Sequence, residues 1–320
     1  MALLSVENLS VTYKTRSGRL PAVDNVSFSV DRGASLGIVG ESGCGKTTLG
    51  MALMRLLASN ARVTQGVIRF DGIDLTRLSD EEMQKIRWKR IAMIFQAAMN
   101  ALNPVQRVGE QIIEAIRAHD PQISKKEARK AVSRLYADVG IEESRIYDFP
   151  HEYSGGMKQR AIIAMALSCA PELIIADEPT TALDVIVQDQ IIRKLKAIQH
   201  EHNISIVFIS HDIGVVAEVC HYIAVMYKGR IVETGRREEV FGTPLHPYTR
   251  SLLSSYLTID GRMELTPYGD LPGFSVTENG KEAVCEFVPH CEKAESGCSE
   301  DPLQWHHATQ THKVLCRVWS

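Results

Sequence analysis

The sequence predicts an α/β chain with an antiparallel N-terminal sheet, a helical insert and a small irregular C-terminal extension. Three observations carry this. "LLSVENLSVTYK" and "AVDNVSFSV" alternate apolar and polar residues near period two, as in strands half-buried in an antiparallel sheet. "SLGIVG", "ELIIAD" and "ISIVFISHD" are short continuous apolar runs, as in parallel strands buried on both faces. "VGEQIIEAIRAH" and "KKEARKAVSRLYADVG" repeat apolar residues at helical spacing with charges between them.

Each element follows in order. "GVIRFDGIDL" reads as a strand pair turning at Asp71-Gly72. "KTTLGMALMRLL" reads as the helix after the first buried strand, and "VIVQDQIIRKLKAIQHEH" as the helix between the last two. The helical stretch spans about 100–169. After about Gly235 the pattern gives way to Pro-, Gly- and Tyr-rich segments such as "GTPLHPYT" and "LTPYGDLPG". The division is therefore 1–240 for the core and 241–320 for the extension.

The 320 residues are 44% hydrophobic, enough for a large core with a small appendage. A net charge of −3 gives no support to general nucleic-acid binding. "AIIAMALSCA" is too short to span a bilayer, which needs about 20 apolar residues. "MALLSVENLSVTYK" lacks the pattern of a signal peptide. A cytoplasmic location is expected, where disulfides are rare.

"GESGCGKTT" fits G-x-x-x-x-G-K-[ST] through Gly40, Gly45, Lys46 and Thr47. Glu41, Ser42, Gly43, Cys44 and Thr48 complete the loop. Glycines let backbone N–H groups turn toward phosphate oxygens, and the following helix adds its positive end. Lys46 would contact the β- and γ-phosphates of ATP, and the Thr47 hydroxyl would join the Mg²⁺ shell. Without that strand-to-helix context, the stretch would be an ordinary glycine turn with a surface lysine. Cys44 is either a redox-sensitive thiol, activated by Lys46 and the helix start, or a small filler of a tight loop. "LIIADEPTTALD" ends a strand with Asp177, suited to support Mg²⁺, and Glu178, suited to polarise an attacking water.

With "YSGGMKQR" at Tyr153 the order of motifs resembles the nucleotide-binding subunit of an ABC transporter. "GESGCGKTT", "IFQ", "YSGGMKQR", "LIIADEP", "TALD" and "ISHD" follow one another, and the likeness covers about residues 3–250. The resemblance implies that Tyr13 stacks on adenine and that Gln96 senses Mg²⁺ and the attacking water. It implies that Ser154, Gly155 and Gly156 cap the γ-phosphate of ATP on a partner subunit. His211 would contact the γ-phosphate, and Asp184 would cross the dimer interface. Two residues depart from the family signature: Tyr153 replaces Leu, and Met157 replaces Gln. Ala97 and Ala98 stand where many relatives carry Asp-Pro.

"HPYT" at His246 and "ALNP" at Ala101 resemble the peptide and nickel import group, nearest to the dipeptide permease ATPase subunits. That resemblance implies two membrane-spanning permease subunits, a paralogous or identical second ATPase, and an extracytoplasmic peptide-binding protein as indirect partner. It implies a place on the cytoplasmic face of the membrane. A nickel or oligosaccharide importer, or a soluble ATPase of the same type acting on nucleic acid, are the alternatives. The second would bring insertions or basic arms that are absent from this sequence.

Cys285, Cys291, Cys298 and Cys316 form the pattern C-x₅-C-x₆-C-x₁₇-C. A [4Fe–4S] cluster, Zn²⁺ and free thiols compete for it. Zinc ribbons show close Cys pairs that this pattern lacks, although His290, His306, His307 and His312 could substitute as ligands. Four cysteines can wrap an iron–sulfur cube, and the dipeptide permease resemblance implies one. A short segment poor in apolar runs gains from such a staple.

Overall fold

The computed structural model describes residues 2–96, 101–181, 183–260, 274–275 and 284–319. Ala97, Ala98 and the "LTPYGDLPG" stretch lie outside them. The chain forms two compact units, 1–77 with 207–320, and 78–206.

In the first unit, strands β1 (Ala2–Thr15) and β2 (Gly18–Asp31) pair antiparallel, and β4 (Ala61–Phe70) lies on the other side of β1. Their apolar alternation places Leu4, Val6, Val26 and Phe28 in the core. The register shifts near Asn8, which adopts φ 50° and donates its N–H to Ser27 Oγ at 2.7 Å. A bulge therefore bends the strand where a simple alternation would fail. Short strands β5 (Ile73–Asp74) and β11 (Phe274–Ser275) complete the sheet order β11-β2-β1-β4-β5.

The second sheet of this unit runs β12-β13-β10-β9-β3-β8. Strand β3 (Ser35–Val39) pairs parallel with β9 (Tyr222–Tyr227), and every residue of both is buried. Strand β8 is Ser205–Ser210 and β10 is Arg230–Arg236. Helix α1 (Lys46–Leu53) follows β3 and stops four residues short of the predicted Leu57, in a turn at Met54 and Arg55. Helix α7 (Ile213–Val219) presses on β3 so closely that a Cβ on Gly37 would lie 1.9 Å from Val216.

The extension carries a helix after "HPYT", as its leucine-rich sequence suggests, and adds strands that its sequence does not suggest. Helices α8 (Arg237–Gly242) and α9 (Pro247–Asp260) follow β10. Strands β12 (Trp305–His307) and β13 (Lys313–Leu315) continue the sheet by pairing β13 with β10. Three-residue strands give almost no periodic signal, so the edge of β10 organises them.

In the second unit, β6 (Ile91–Ile94) and β7 (Leu173–Asp177) pair parallel. Helices α2 (Asp80–Ile86), α3 (Val108–His119), α4 (Lys125–Val139), α5 (Gly155–Leu167) and α6 (Val185–His202) accompany them. Helix α4 starts at a reciprocal capping box, Ser124 with Glu127, and ends at Gly140 with φ 72°. Both ends follow the expected start and stop chemistry. Among the described residues no helix is long and apolar enough to cross a membrane.

Candidate functional site

The loop of the first unit lies between β3 and α1. Gly45 has φ 108°, and a Cβ there would lie 2.1 Å from the Ala22 carbonyl, so only glycine fits. Lys46 is buried, and its Nζ donates to the carbonyls of Gly40 (2.7 Å) and Glu41 (2.8 Å). A buried ammonium resting on two carbonyls is ready to exchange them for an anion. Glu41, Ser42, Gly43 and Thr47 are exposed along the loop. Tyr13 is half-buried, with its hydroxyl 3.2 Å from Thr48 Oγ1. Burial raises the Cys44 thiol above its ordinary range despite the neighbouring Lys46, which favours the filler role over the redox role. His211 is exposed immediately after β8, where Asp212 caps α7 through Gly214 N and Val215 N.

The second unit carries the acidic residues. Asp177 ends β7 and is buried. Glu178 follows with φ 51°, a left-handed conformation that costs a non-glycine residue about 1 kcal/mol or more. Its Oε2 accepts from Thr181 Oγ1 at 2.7 Å. Gln96 follows the C-terminal end of β6, which pairs in register with β7 through Ile94 and Ala176. Gln96, Asp177 and Glu178 thus emerge at the same edge of this parallel pair, where α/β sheets hold ligands.

Ser154 caps α5 by accepting from Met157 N at 3.3 Å. Gly155 and Gly156 open the helix, whose first N–H groups form an anion-binding end. Asp184 caps α6 by accepting from Val187 N at 2.9 Å. A Cβ on Gly156 would lie 2.6 Å from Val187, so the two helix starts pack closely. Tyr153 is buried, donates to the Arg145 carbonyl at 2.8 Å and meets the Tyr136 hydroxyl at 2.9 Å. The departure from Leu is thereby accommodated, since its added hydroxyl is satisfied. Met157 at the third position of α5 leaves the reciprocal half of a capping box unmade.

The four tail cysteines line one small cavity, together with His246 and Phe287. None of His290, His306, His307 and His312 lines it. His312 Nε2 instead lies 2.8 Å from Glu233 Oε1. Burial pushes the Cys316 thiol up to about 12, and the other three cysteines add to the rise. His246 Nδ1 accepts from Tyr248 N at 3.0 Å, while its buried Nε2 has no hydrogen-bond partner among the described residues. Among the described residues, no group of three or more His, Cys, Asp or Glu side chains is arranged to hold a metal ion, the four cysteines included.

Two features lay outside the reach of sequence reasoning. Glu233, fully buried, accepts from Leu245 N (2.9 Å) and His246 N (2.8 Å) as well as facing His312. Tyr248 Oη accepts from Glu41 N at 2.8 Å. These partners are far apart in sequence, and no local pattern connects them. A glutamate inside an apolar strand was the one available signal, because buried carboxylates need partners.

The buried parallel strand, glycine loop and helix define a phosphate-loop nucleotide-binding protein. The ABC transporter family profile matches residues 23–181, and that of the oligopeptide/dipeptide transporter C-terminal region matches 232–298. The dipeptide transport ATP-binding protein DppD of Lactococcus lactis is 48% identical over 82% of this chain and 76% of that protein. The oligopeptide transport ATP-binding protein OppD of Escherichia coli is 45% identical over 94% of this chain and 89% of that protein. Among solved structures, the dimeric ATP-binding cassette MJ0796 bound to ADP and Pi shares 29% identity at a TM-score of 0.66, covering 73% of this chain and 98% of that one. The chain belongs to the ABC transporter family, among its dipeptide and oligopeptide transport ATP-binding proteins. It is an ABC-type ATPase subunit.

Proposed function

We infer that the chain binds and hydrolyses ATP to power import of dipeptides or short oligopeptides. The observation that carries this is Lys46 held on two loop carbonyls, in a family whose named relatives transport peptides. Lys46 and the loop N–H groups of Gly40 to Thr48 take the phosphates, and Tyr13 takes the adenine face. Thr47, Gln96 and Asp177 would hold Mg²⁺, which would supply neutralisation of phosphate charge. Glu178 polarises the attacking water, and His211 holds the γ-phosphate. Ser154, Gly155 and Gly156 face ATP on a second ATPase subunit, a paralogue or another copy, with Asp184 at that interface. The subunit works peripherally at the cytoplasmic face with two permease subunits, supplied by a peptide-binding protein outside. Replacing Glu178 by Gln is expected to preserve ATP binding while slowing hydrolysis by about two to four orders of magnitude. Unchanged turnover in that variant would remove Glu178 from the role.

We further propose an iron–sulfur group at the cysteine pocket, on the donor chemistry of its four thiols. Four thiols line one cavity, and the unpartnered His246 nitrogen beside them suits a sulfur acceptor. Cys285, Cys291, Cys298 and Cys316 would hold a [4Fe–4S] cluster, whose contribution is to cross-link the extension. Anaerobic purification is expected to give a brown protein with iron and sulfide in near-equal amounts, lost in Cys298→Ser. A colourless protein with one zinc would exclude the cluster.

A further inference from the structure

We propose that Tyr248 of the extension is a positioning residue for the phosphate loop, and that the aromatic packing beneath it ties the cysteine pocket to nucleotide affinity. The proposal rests on the reading that this loop binds ATP.

The peptide group joining Gly40 to Glu41 is held from both sides. Its N–H, that of Glu41, donates to Tyr248 Oη at 2.8 Å, and its carbonyl, that of Gly40, accepts from Lys46 Nζ at 2.7 Å. An arriving phosphate must draw Lys46 off that carbonyl. Where this peptide is fixed therefore sets how far Lys46 has to move and how the loop is shaped for the anion.

Tyr248 cannot follow a shifting loop. It sits in the first turn of α9 and is 2% exposed. Its N–H is tied to His246 Nδ1, and the N–H groups of Leu245 and His246 are tied to buried Glu233. Its ring packs on Tyr227 with centroids 4.7 Å apart, and on Phe287 at 5.5 Å. Phe287 in turn meets Tyr227 edge-on at 5.3 Å and lines the cysteine cavity two residues after Cys285. The second arm of this packing also reaches the loop. Tyr227 leads into a turn whose Gly229 N–H donates to the Cys44 carbonyl at 2.8 Å. Phe287 thus supports both segments that grip the loop, one at Glu41 and one at Cys44.

Pure packing would need only the Tyr248 ring. The hydroxyl on Glu41 is the part that positions, so Tyr248→Phe in the full-length chain isolates it. The variant is expected to raise the calorimetric Kd and the KM for ATP about two- to tenfold, the span of one neutral hydrogen bond. Its kcat should stay within about twofold and its Tm within about 2 °C. Unchanged Kd and KM, or a lowered Tm with unchanged affinity, would overturn the positioning role. Lys46→Ala serves as the separate check on the loop: wild-type ATP affinity there would sink the ATP-site reading itself.

For the link to the pocket, Phe287→Leu is measured alone and combined with Tyr248→Phe. Phe287→Met takes its place if the first does not fold. Expected is an about two- to fivefold loss of ATP affinity alone and little further loss in the Tyr248→Phe background. Equal losses in both backgrounds, or none in either, would overturn the link.

Discussion

His246 holds a proton balance that geometry fixes. Its Nδ1 accepts the Tyr248 N–H, so the ring is neutral with its proton on Nε2. Burial lowers its pKa to about 4, with Glu233 opposing. The unfolded chain therefore binds a proton that the folded one does not, between about pH 6.5 and about pH 4. This contribution is whole above about pH 6.5 and is lost as pH falls toward about 4. Thermal melts should show Tm falling by a few degrees from about pH 7 to about pH 5, and by less in His246→Asn. Equal pH slopes for both proteins would rule His246 out. At Glu178 the same scale carries strain. A left-handed φ of 51° is retained at the residue assigned to the attacking water, a conformation its acidic motif alone does not announce.

Elements are pinned by single polar residues at their ends. Ser124 and Glu127 satisfy two otherwise orphaned groups at the start of α4. Ser124→Ala is expected to cost about 1 kcal/mol in urea unfolding. A change under about 0.3 kcal/mol would mean that the cap does not hold this end of the helix. Glu233 on β10 is a larger case, because it gathers the start of α9 and the His312 side chain ahead of β13. Glu233→Ala leaves three buried groups short of their acceptor and should cost about 3–5 kcal/mol. It should also expose the tail to proteolysis before the rest of the chain. A capping box is a local device, because partner and backbone lie three residues apart. The Glu233 cluster is not, because Leu245 and His312 reach it only after the sheet has formed.

At the scale of the whole molecule, the family and both profile matches agree with the order of motifs along the chain. The glycine loop, the acidic strand end and the buried strands each stand where their local pattern put them. The extension is the exception, since it reads as irregular yet adds strands β12 and β13 to the core sheet. If that pairing carries the tail, hydrogen exchange at Val314 should be as slow as at its partner Glu233. Fast exchange at Val314 alone would show the tail opening independently.

The sequence by itself determined the core strands, the long helices, the phosphate loop and the family, because each is encoded by periodicity or by motifs a few residues long. Only the tertiary structure decided that the four cysteines share one cavity and that Tyr248 reaches Glu41. Such contacts join residues of large sequence separation, and they arise when packing, rather than local propensity, selects which buried polar and sulfur groups become neighbours.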